Sequence, residues 1–330
     1  MITTSKEAPA VSIPWRESAR RHGALLVLLL VVALAGTTLD GFLALGNLNR
    51  VLVSASFLAI IALGMTFVIV TGGIDLSVGT VFALGGVSAA WASQYGSLAL
   101  LLVPLVVCGL IGLLNGVLIA RAGLAPFIVT LATMLGAWGL MLAISDEGNT
   151  TYLVPEGLAL APLVHGRLLG VLGYSFLLVV ALFFVGGLVL RRTTAGQHVY
   201  AVGGDEQTAA LMGVPVARTK MAVYTFSGLC AGAAGALNAL WLGSGVTIFG
   251  IGIELQAISA VVIGGTLLTG GYGFLAGTLS GVLLLGVIQN IINAVGTLTS
   301  AFQEVVSGLF LIAVVLIQSR LRGGPTGPVR

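Results

Sequence analysis

One carboxylate stands alone in a long apolar stretch. From Ala59 to Gly86 the chain reads AIIALGMTFVIVTGGIDLSVGTVFALGG, and Asp75 is the only charged residue in it. An ionised carboxyl in the middle of a bilayer costs about 2.5–3.5 kcal/mol on insertion scales, so it persists where it caps a helix, reaches water or faces a protein interior. The Gly72-Gly73 pair can end one helix, and Asp75 can begin the next by accepting the N–H of Ser77 or Val78. Such a cap contributes roughly 1 kcal/mol. Two readings follow: a capped cytosolic corner between two spans, or a broken helix that lines a solute path.

Other polar side chains in apolar surroundings are amides and hydroxyls: Asn115, Gln256, Ser259, Thr266, Gln289, Asn290 and Asn293, beside Asp75 and Ser77. They could line a path for a neutral polar solute, or simply hydrogen-bond one helix to another. Covalent chemistry finds little to work with. Cys108 and Cys230 sit in apolar segments as small packing residues, and His22, His165 and His198 lie in separate loops without ligand spacing, so no metal site is expected. No acid/base pair lies within reach of a Ser or Cys nucleophile, and no catalytic residue or cofactor is expected. The two lysines, in Ser5-Lys6-Glu7 and Thr219-Lys220-Met221, do not form a phosphate-binding loop.

The elements that would position these groups are membrane helices. The chain is 58% hydrophobic and 8% charged, with a mean hydropathy of +1.12. That composition excludes a soluble globular domain. Residues 122–145, 168–190 and 255–303 carry no charge at all, and 51–120 carry only Asp75. Glycine and proline divide these intervals into about ten transmembrane helices, near 24–41, 51–71, 75–93, 98–120, 124–144, 171–190, 220–242, 250–269, 274–294 and 299–318. Continuous apolar runs such as LLVLLLVVALAG lack the alternation of a membrane barrel. The expected fold is therefore an all-α polytopic membrane protein. It divides into a tail 1–22, one transmembrane domain 23–319 and a tail 320–330.

Orientation follows from the basic residues. With a cytosolic amino terminus, Lys6, Arg16, Arg20, Arg21, Arg121, Arg191, Arg192, Arg218, Lys220, Arg320, Arg322 and Arg330 fall inside, and only Arg50 and Arg167 fall outside. Ten spans return the carboxyl terminus to the cytosol. The net charge of +3 thus describes orientation and not nucleic-acid binding. Ala33-Leu34-Ala35 resembles a signal-peptidase site, but the apolar run continues through Leu39. The external loop 145–170 carries Asp146, Glu147, Glu156, His165 and Arg167, a solvated surface or a docking face.

Glycine is abundant, 48 in all, and spaced for close helix packing in Gly109-Gly112-Gly116, Gly228-Ala231-Gly232-Gly235 and Gly277-Gly281. TGGIDLSVGTV (71–81) and TGGYGFLAGTL (269–279) echo one another at two expected corners. The loop 191–219 holds a short helix, with Asp205 as N-cap, Glu206 in the first turn, Ala209, Ala210, Leu211 and Met212 as body, Gly213 at C′ and Pro215 beyond. Its small apolar face, centred on Ala209 and Met212, asks for a partner, unless the loop is only a connector.

GGIDLSVG (72–79), YAVGGDEQTAALMGV (200–214) and GIGIELQAISAVVIGGTLLTGGYG (250–273) resemble, in order and spacing, the membrane permeases of ribose-type sugar ABC importers, within the larger family that includes branched-chain amino acid permeases. The resemblance covers about residues 22–320. In VVIGGTLLTGG (261–271) the wording is similar to that of galactofuranose permease subunits. The resemblance implies a multi-pass subunit of the bacterial inner membrane that imports a ribose-, xylose- or galactofuranose-like monosaccharide by alternating access. It implies three partners: a periplasmic sugar-binding protein, a cytosolic ATP-binding subunit, and a second permease subunit, identical or not. By the same resemblance, Asp205, Glu206, Ala209, Ala210, Leu211, Met212 and Gly213 look like the coupling helix that docks into the ATPase. Asp75, Ser77, Asn115, Gln256, Ser259, Asn290 and Asn293 are the candidates for the translocation path. A secondary transporter or a channel for a small polar solute is the alternative.

Overall fold

The computed structural model describes residues 14–170 and 172–295, together with Val305, Gly308, Leu309 and Ile312; side chains are described from Gly23 onward. The expected helix 299–318 and the tails 1–13 and 320–330 lie outside the described residues or almost so. Twelve helices carry the described chain: α1 (Pro14–Thr38), α2 (Leu45–Val70), α3 (Val78–Ala92), α4 (Ser97–Ala120), α5 (Pro126–Ile144), α6 (Pro162–His165), α7 (Tyr174–Arg192), α8 (Thr194–Gly204), α9 (Glu206–Leu211), α10 (Val216–Leu242), α11 (Ile253–Ile263) and α12 (Leu275–Val295). One two-residue hairpin, β1 (Arg167–Leu168) and β2 (Leu172–Gly173), precedes α7. The chain is an all-α polytopic membrane protein.

Six of the described helices, α2, α4, α5, α7, α10 and α12, are long and apolar enough to cross a membrane. Helix α1 has 25 residues and begins at Pro14, ahead of the basic residues, with proline in the first turn where its missing N–H costs nothing. Two expected spans come out shorter. Helix α3 has 15 residues and α11 has 11, against about 20 for a span. Each is cut short by irregular backbone. Residues 71–77 precede α3, and after α11 the chain turns through Gly265 (φ +92°), Gly270 (+82°) and Gly271 (+73°) before α12. Non-helical backbone at depth must be satisfied internally. Here Thr266 N donates to Val261 O (3.2 Å), Leu267 N to Tyr272 O (3.0 Å) and Gly271 N to Val70 O (2.9 Å).

Helices α2 and α10 form the centre, with 89% and 72% of their most apolar window buried, against 28%, 22% and 28% for α4, α5 and α7. The peripheral three turn residues such as Leu110, Leu135 and Phe184 outward, as lipid-facing helices do. Small residues set the central spacing. On α10 a Cβ at Gly232 would lie 2.6 Å from Pro104 O, one at Gly235 2.6 Å from Gly86 N, and one at Gly228 3.1 Å from Gly112 Cα, so α4 and α3 approach α10 backbone to backbone. Gly116 meets Met221 in the same way, and Gly277 and Gly281 let α12 lie against Gly264 and Ala260. The glycine spacings seen in the sequence are thus contact faces. Between α2 and α12, the Thr66 and Thr278 hydroxyls share a hydrogen bond of 2.9 Å.

The corners at 71–77 and 264–274 pack together. Gly270 lies against the backbone of Gly72, and Gly203 at the end of α8 lies against Val70 and Gly271. Tyr200 of α8 adds a hydrogen bond to Gly273 O (2.6 Å). The two echoing TGG segments therefore meet at one end of the bundle, beneath α8.

Candidate functional site

Asp75 is buried, with 1% of its surface exposed. Its Oδ1 accepts from Ser77 N (3.1 Å) and Ser77 Oγ (2.6 Å), and its Oδ2 accepts from Ser227 Oγ on α10 (2.9 Å). Asn115 on α4 donates to Ser77 Oγ (3.0 Å), and Thr133 on α5 donates to Asn115 Oδ1 (2.7 Å). Tyr224 of α10 reaches Ile74 O (3.3 Å). The carboxylate is thus the terminal acceptor of a hydrogen-bond chain that joins the corner to α4, α5 and α10. The Lys220–Glu206 ion pair lies elsewhere, and the groups that hydrogen-bond Asp75 are all uncharged. The expected contact with the Ser77 N–H is present, although α3 itself begins at Val78 and Asp75 closes a turn just ahead of it. The burial and the contribution from Ser227 are tertiary and were invisible in the sequence.

At the other end of α2 lies a cavity of about 970 Å³. Val70 marks the corner end of this 26-residue helix, and the cavity is lined by its far half, from Asn47 to Ile61. At about 1.5 Å per residue the mouth at Asn47 is roughly 35 Å from the corner. Gln256 of α11 and Asn290 and Asn293 of α12, all marked in the sequence as path candidates, come together here with Gln289. Asp75, Ser77, Asn115 and Ser259 do not line it. Ser259 is buried one turn along α11 and donates to Leu255 O (2.7 Å), while Thr266 is buried with its hydroxyl unpaired among the described residues. The cavity adds Asn47, Arg50, Asn238 and the aromatic faces of Trp241 and Phe249. Asn47 falls in the first turn of α2, ahead of the helix start expected at residue 51. Arg50 ended that expectation because it was read as a boundary charge.

The loop after α7 follows its sequence signals closely. Thr193 caps α8, accepting from Gly196 N (3.2 Å). Asp205 caps α9, its Oδ1 accepting from Thr208 N (2.6 Å), and that hydrogen bond holds its carboxyl below the usual carboxylate range. At the other end Gly213 N donates to Ala210 O and Val214 N to Ala209 O, both 3.0 Å, with Gly213 at φ +83°. These paired bonds satisfy the last carbonyls of the helix. Glu206 pairs with Lys220 of α10 at 2.5 Å. The exposed apolar face differs from the expected one. Ala209 is buried, only 2% exposed, because it turns back into the chain, whereas Leu211 and Met212 are 89% and 79% exposed beside exposed Ala210.

Residues 47–315 match the family described as branched-chain amino acid transport system, permease component. The chain is 39% identical to the inner membrane ABC transporter permease protein YjfF of Escherichia coli, over 86% of this chain and 87% of that protein. It is 36% identical to the ribose import permease protein RbsC of Bacillus subtilis, over 91% and 93%. To the fructose import permease protein FruG of Bifidobacterium longum it is 33% identical, over 89% of each. No solved structure matches the chain at a significant level.

Proposed function

This chain belongs to the family of branched-chain amino acid transport system permease components, and from that premise we propose that it is the membrane-spanning subunit of an ATP-driven importer of a monosaccharide. The observation that carries the reading is the cavity. Its volume of about 970 Å³ is ample for one sugar. Its polar lining consists mostly of amides, which offer a neutral polyol donors and acceptors without trapping it, and Trp241 and Phe249 offer flat apolar faces. Relatives named for ribose and fructose import support the same substrate class.

The remaining parts take their places around that cavity. With the loop 191–219 in the cytosol of a bacterial cell, the cavity faces the opposite side, where a sugar-binding protein would deliver its load. The chain has no phosphate-binding loop, so the energy comes from a cytosolic ATP-binding subunit, and α9 is its contact, through Ala210, Leu211 and Met212. The caps at Asp205 and Gly213, with the Glu206–Lys220 pair, hold that helix in place. One chain offers one such helix, and an ATPase that works as two closing subunits requires a second permease. The buried network at Asp75 serves as the fixed point of the cytosolic corner. A secondary transporter would need a titratable group on the path, and Asp75 is instead spent on three hydrogen bonds away from the cavity.

Extraction in mild detergent and native mass spectrometry test the assembly, with two permease chains and two ATPase chains expected. A functional complex with one permease refutes it. Gln256→Ala and Asn293→Ala test the path: each should lower sugar uptake at least tenfold in an assembled complex. Normal uptake in both would remove the cavity from the mechanism.

A further inference from the structure

One wall of the cavity is closed by two amides that hydrogen-bond each other reciprocally. Asn47 Nδ2 donates to Asn290 Oδ1 (2.9 Å), and Asn290 Nδ2 donates back to Asn47 Oδ1 (3.1 Å). The second hydrogen of Asn47 Nδ2 goes to Phe42 O (2.9 Å). That carbonyl also fixes which end of the Asn47 amide is nitrogen, and the reciprocal bonds then fix Asn290. Both residues are half-buried and both line the cavity. They join the first turn of α2 to α12, where elsewhere these helices meet through apolar side chains, the threonine pair and the close approach of Gly286 to Ala55.

A reciprocal amide pair is an unusual way to hold two helices that could pack through leucines. Its chemistry is that of exchange. Each carboxamide edge presents one donor and one acceptor side by side, and two neighbouring hydroxyls of a sugar present the same pattern. A diol can therefore take the place of one amide on the other's edge with two hydrogen bonds broken and two formed, the displaced amide turning its edge into the open cavity that both residues line, while an apolar or singly hydroxylated molecule leaves a polar atom of the retained amide unpaired as well. We propose that the Asn47–Asn290 pair is a seam between α2 and α12 that adjacent hydroxyls of the transported solute open by taking the place of one amide. The inference rests on the reading of the cavity as the solute path. It makes these two residues a specificity element: the wall parts for a polyol and stays closed to solutes that cannot complete the exchange.

The test uses the full complex in cells or proteoliposomes, with labelled D-ribose, D-xylose, D-fructose and D-galactose as probes. Replacing both residues, Asn47→Leu with Asn290→Leu, keeps a packed contact between the helices but offers a solute nothing. The double variant should assemble and melt at or above the wild-type temperature, yet take up its sugar at least tenfold more slowly, with the loss mainly in the apparent KM. Uptake equal to wild type in that variant overturns the proposal, because the amides would then be only a helix contact. A second variant, Asn47→Cys with Asn290→Cys, bridged by a short reversible thiol cross-linker, should lose uptake when bridged and regain it on reduction. Undiminished uptake in the bridged protein also overturns it. Normal uptake in the pair variants beside impaired uptake in Gln256→Ala and Asn293→Ala overturns the seam alone and leaves the cavity as the path, whereas normal uptake in all of them removes the cavity reading on which the seam depends. Wild-type uptake of none of the four sugars defeats the solute reading on which the seam depends.

Discussion

Replacing Asp75 in two ways separates its hydrogen bonds from its charge. In the protein the carboxylate accepts from Ser77 N, Ser77 Oγ and Ser227 Oγ, all within 3.1 Å and all buried. Asp75→Ala removes every acceptor at once. Ser227 lies within α10 and can turn its hydroxyl to a carbonyl one turn back, but the Ser77 N–H has no such choice, and the Ser77 hydroxyl is held by Asn115. The two Ser77 donors left unpaired, at about 1–3 kcal/mol each, give a loss of about 2–6 kcal/mol. That exceeds the roughly 1 kcal/mol of an exposed cap. Asp75→Asn keeps Oδ1 as acceptor and needs only the Ser227 hydroxyl to reverse and accept. It also removes a buried charge whose hydrogen-bond partners are all uncharged, so it should fall within about 1 kcal/mol of wild type. Both free cysteines, Cys108 and Cys230, are buried, so a thiol-reactive dye reports unfolding in detergent without engineered labels. The expected order of melting temperatures is wild type near Asn, with Ala well below. Asn as unstable as Ala would show that the charge itself holds the corner, and Ala as stable as wild type would show that the network holds nothing.

Three further outcomes follow from the geometry. Gly235→Ala places a methyl group 2.6 Å from Gly86 N, and because backbone cannot step aside the same dye assay should show a loss of about 1–3 kcal/mol. Met212→Glu and Leu211→Glu alter exposed positions and should abolish ATP-driven uptake with an unchanged melting temperature, whereas Ala209→Glu buries a charge and should disrupt α9 itself. Unimpaired uptake in the first two would remove α9 from the coupling path. The lowered carboxyl of Asp205 contributes its capping bond above the ordinary Asp range and loses it as pH falls through the lower, folded value. Amide exchange at Thr208 should therefore stay slow across neutral and mildly acidic pH and quicken only below the usual carboxylate range; quickening already near neutral pH would contradict the cap.

How much of this was legible beforehand depends on whether the signal was local. Helix α9 could be read residue by residue, because Asp205, Gly213 and Pro215 act through their own backbone neighbours. The long helices were legible from uncharged intervals bounded by arginines. Hydropathy could not see that α3 and α11 stop short, since the buried irregular segments 71–77 and 264–274 are as apolar as a helix and differ only in where glycine turns the chain. The same holds for sites. Gln256, Asn290 and Asn293 were marked as amides in apolar surroundings, and the structure gathers them in one cavity. Asn47 escaped because its turn of helix lies before Arg50. The inward turn of Ala209 depends on what the rest of the chain packs beneath it, which no local pattern records.

The meeting of Val70, Gly203 and Gly271 has a consequence for how the protein is made. Gly203 and Gly271 lie 133 and 201 positions downstream of Val70, yet the three backbones touch with no side chain between them. At about 5–20 residues per second, synthesis needs roughly 10–40 s to reach the third after the first. Throughout that interval the corner that holds Asp75 is incomplete, and the Ser227 hydroxyl that completes its shell also arrives late. The first half of the chain must therefore wait in the membrane with a partly unsatisfied carboxylate, and the insertion of α12 is the event that closes the amino-terminal corner. Chains halted before α12 are expected to be substrates for membrane proteolysis, even though most of their helices are already in place.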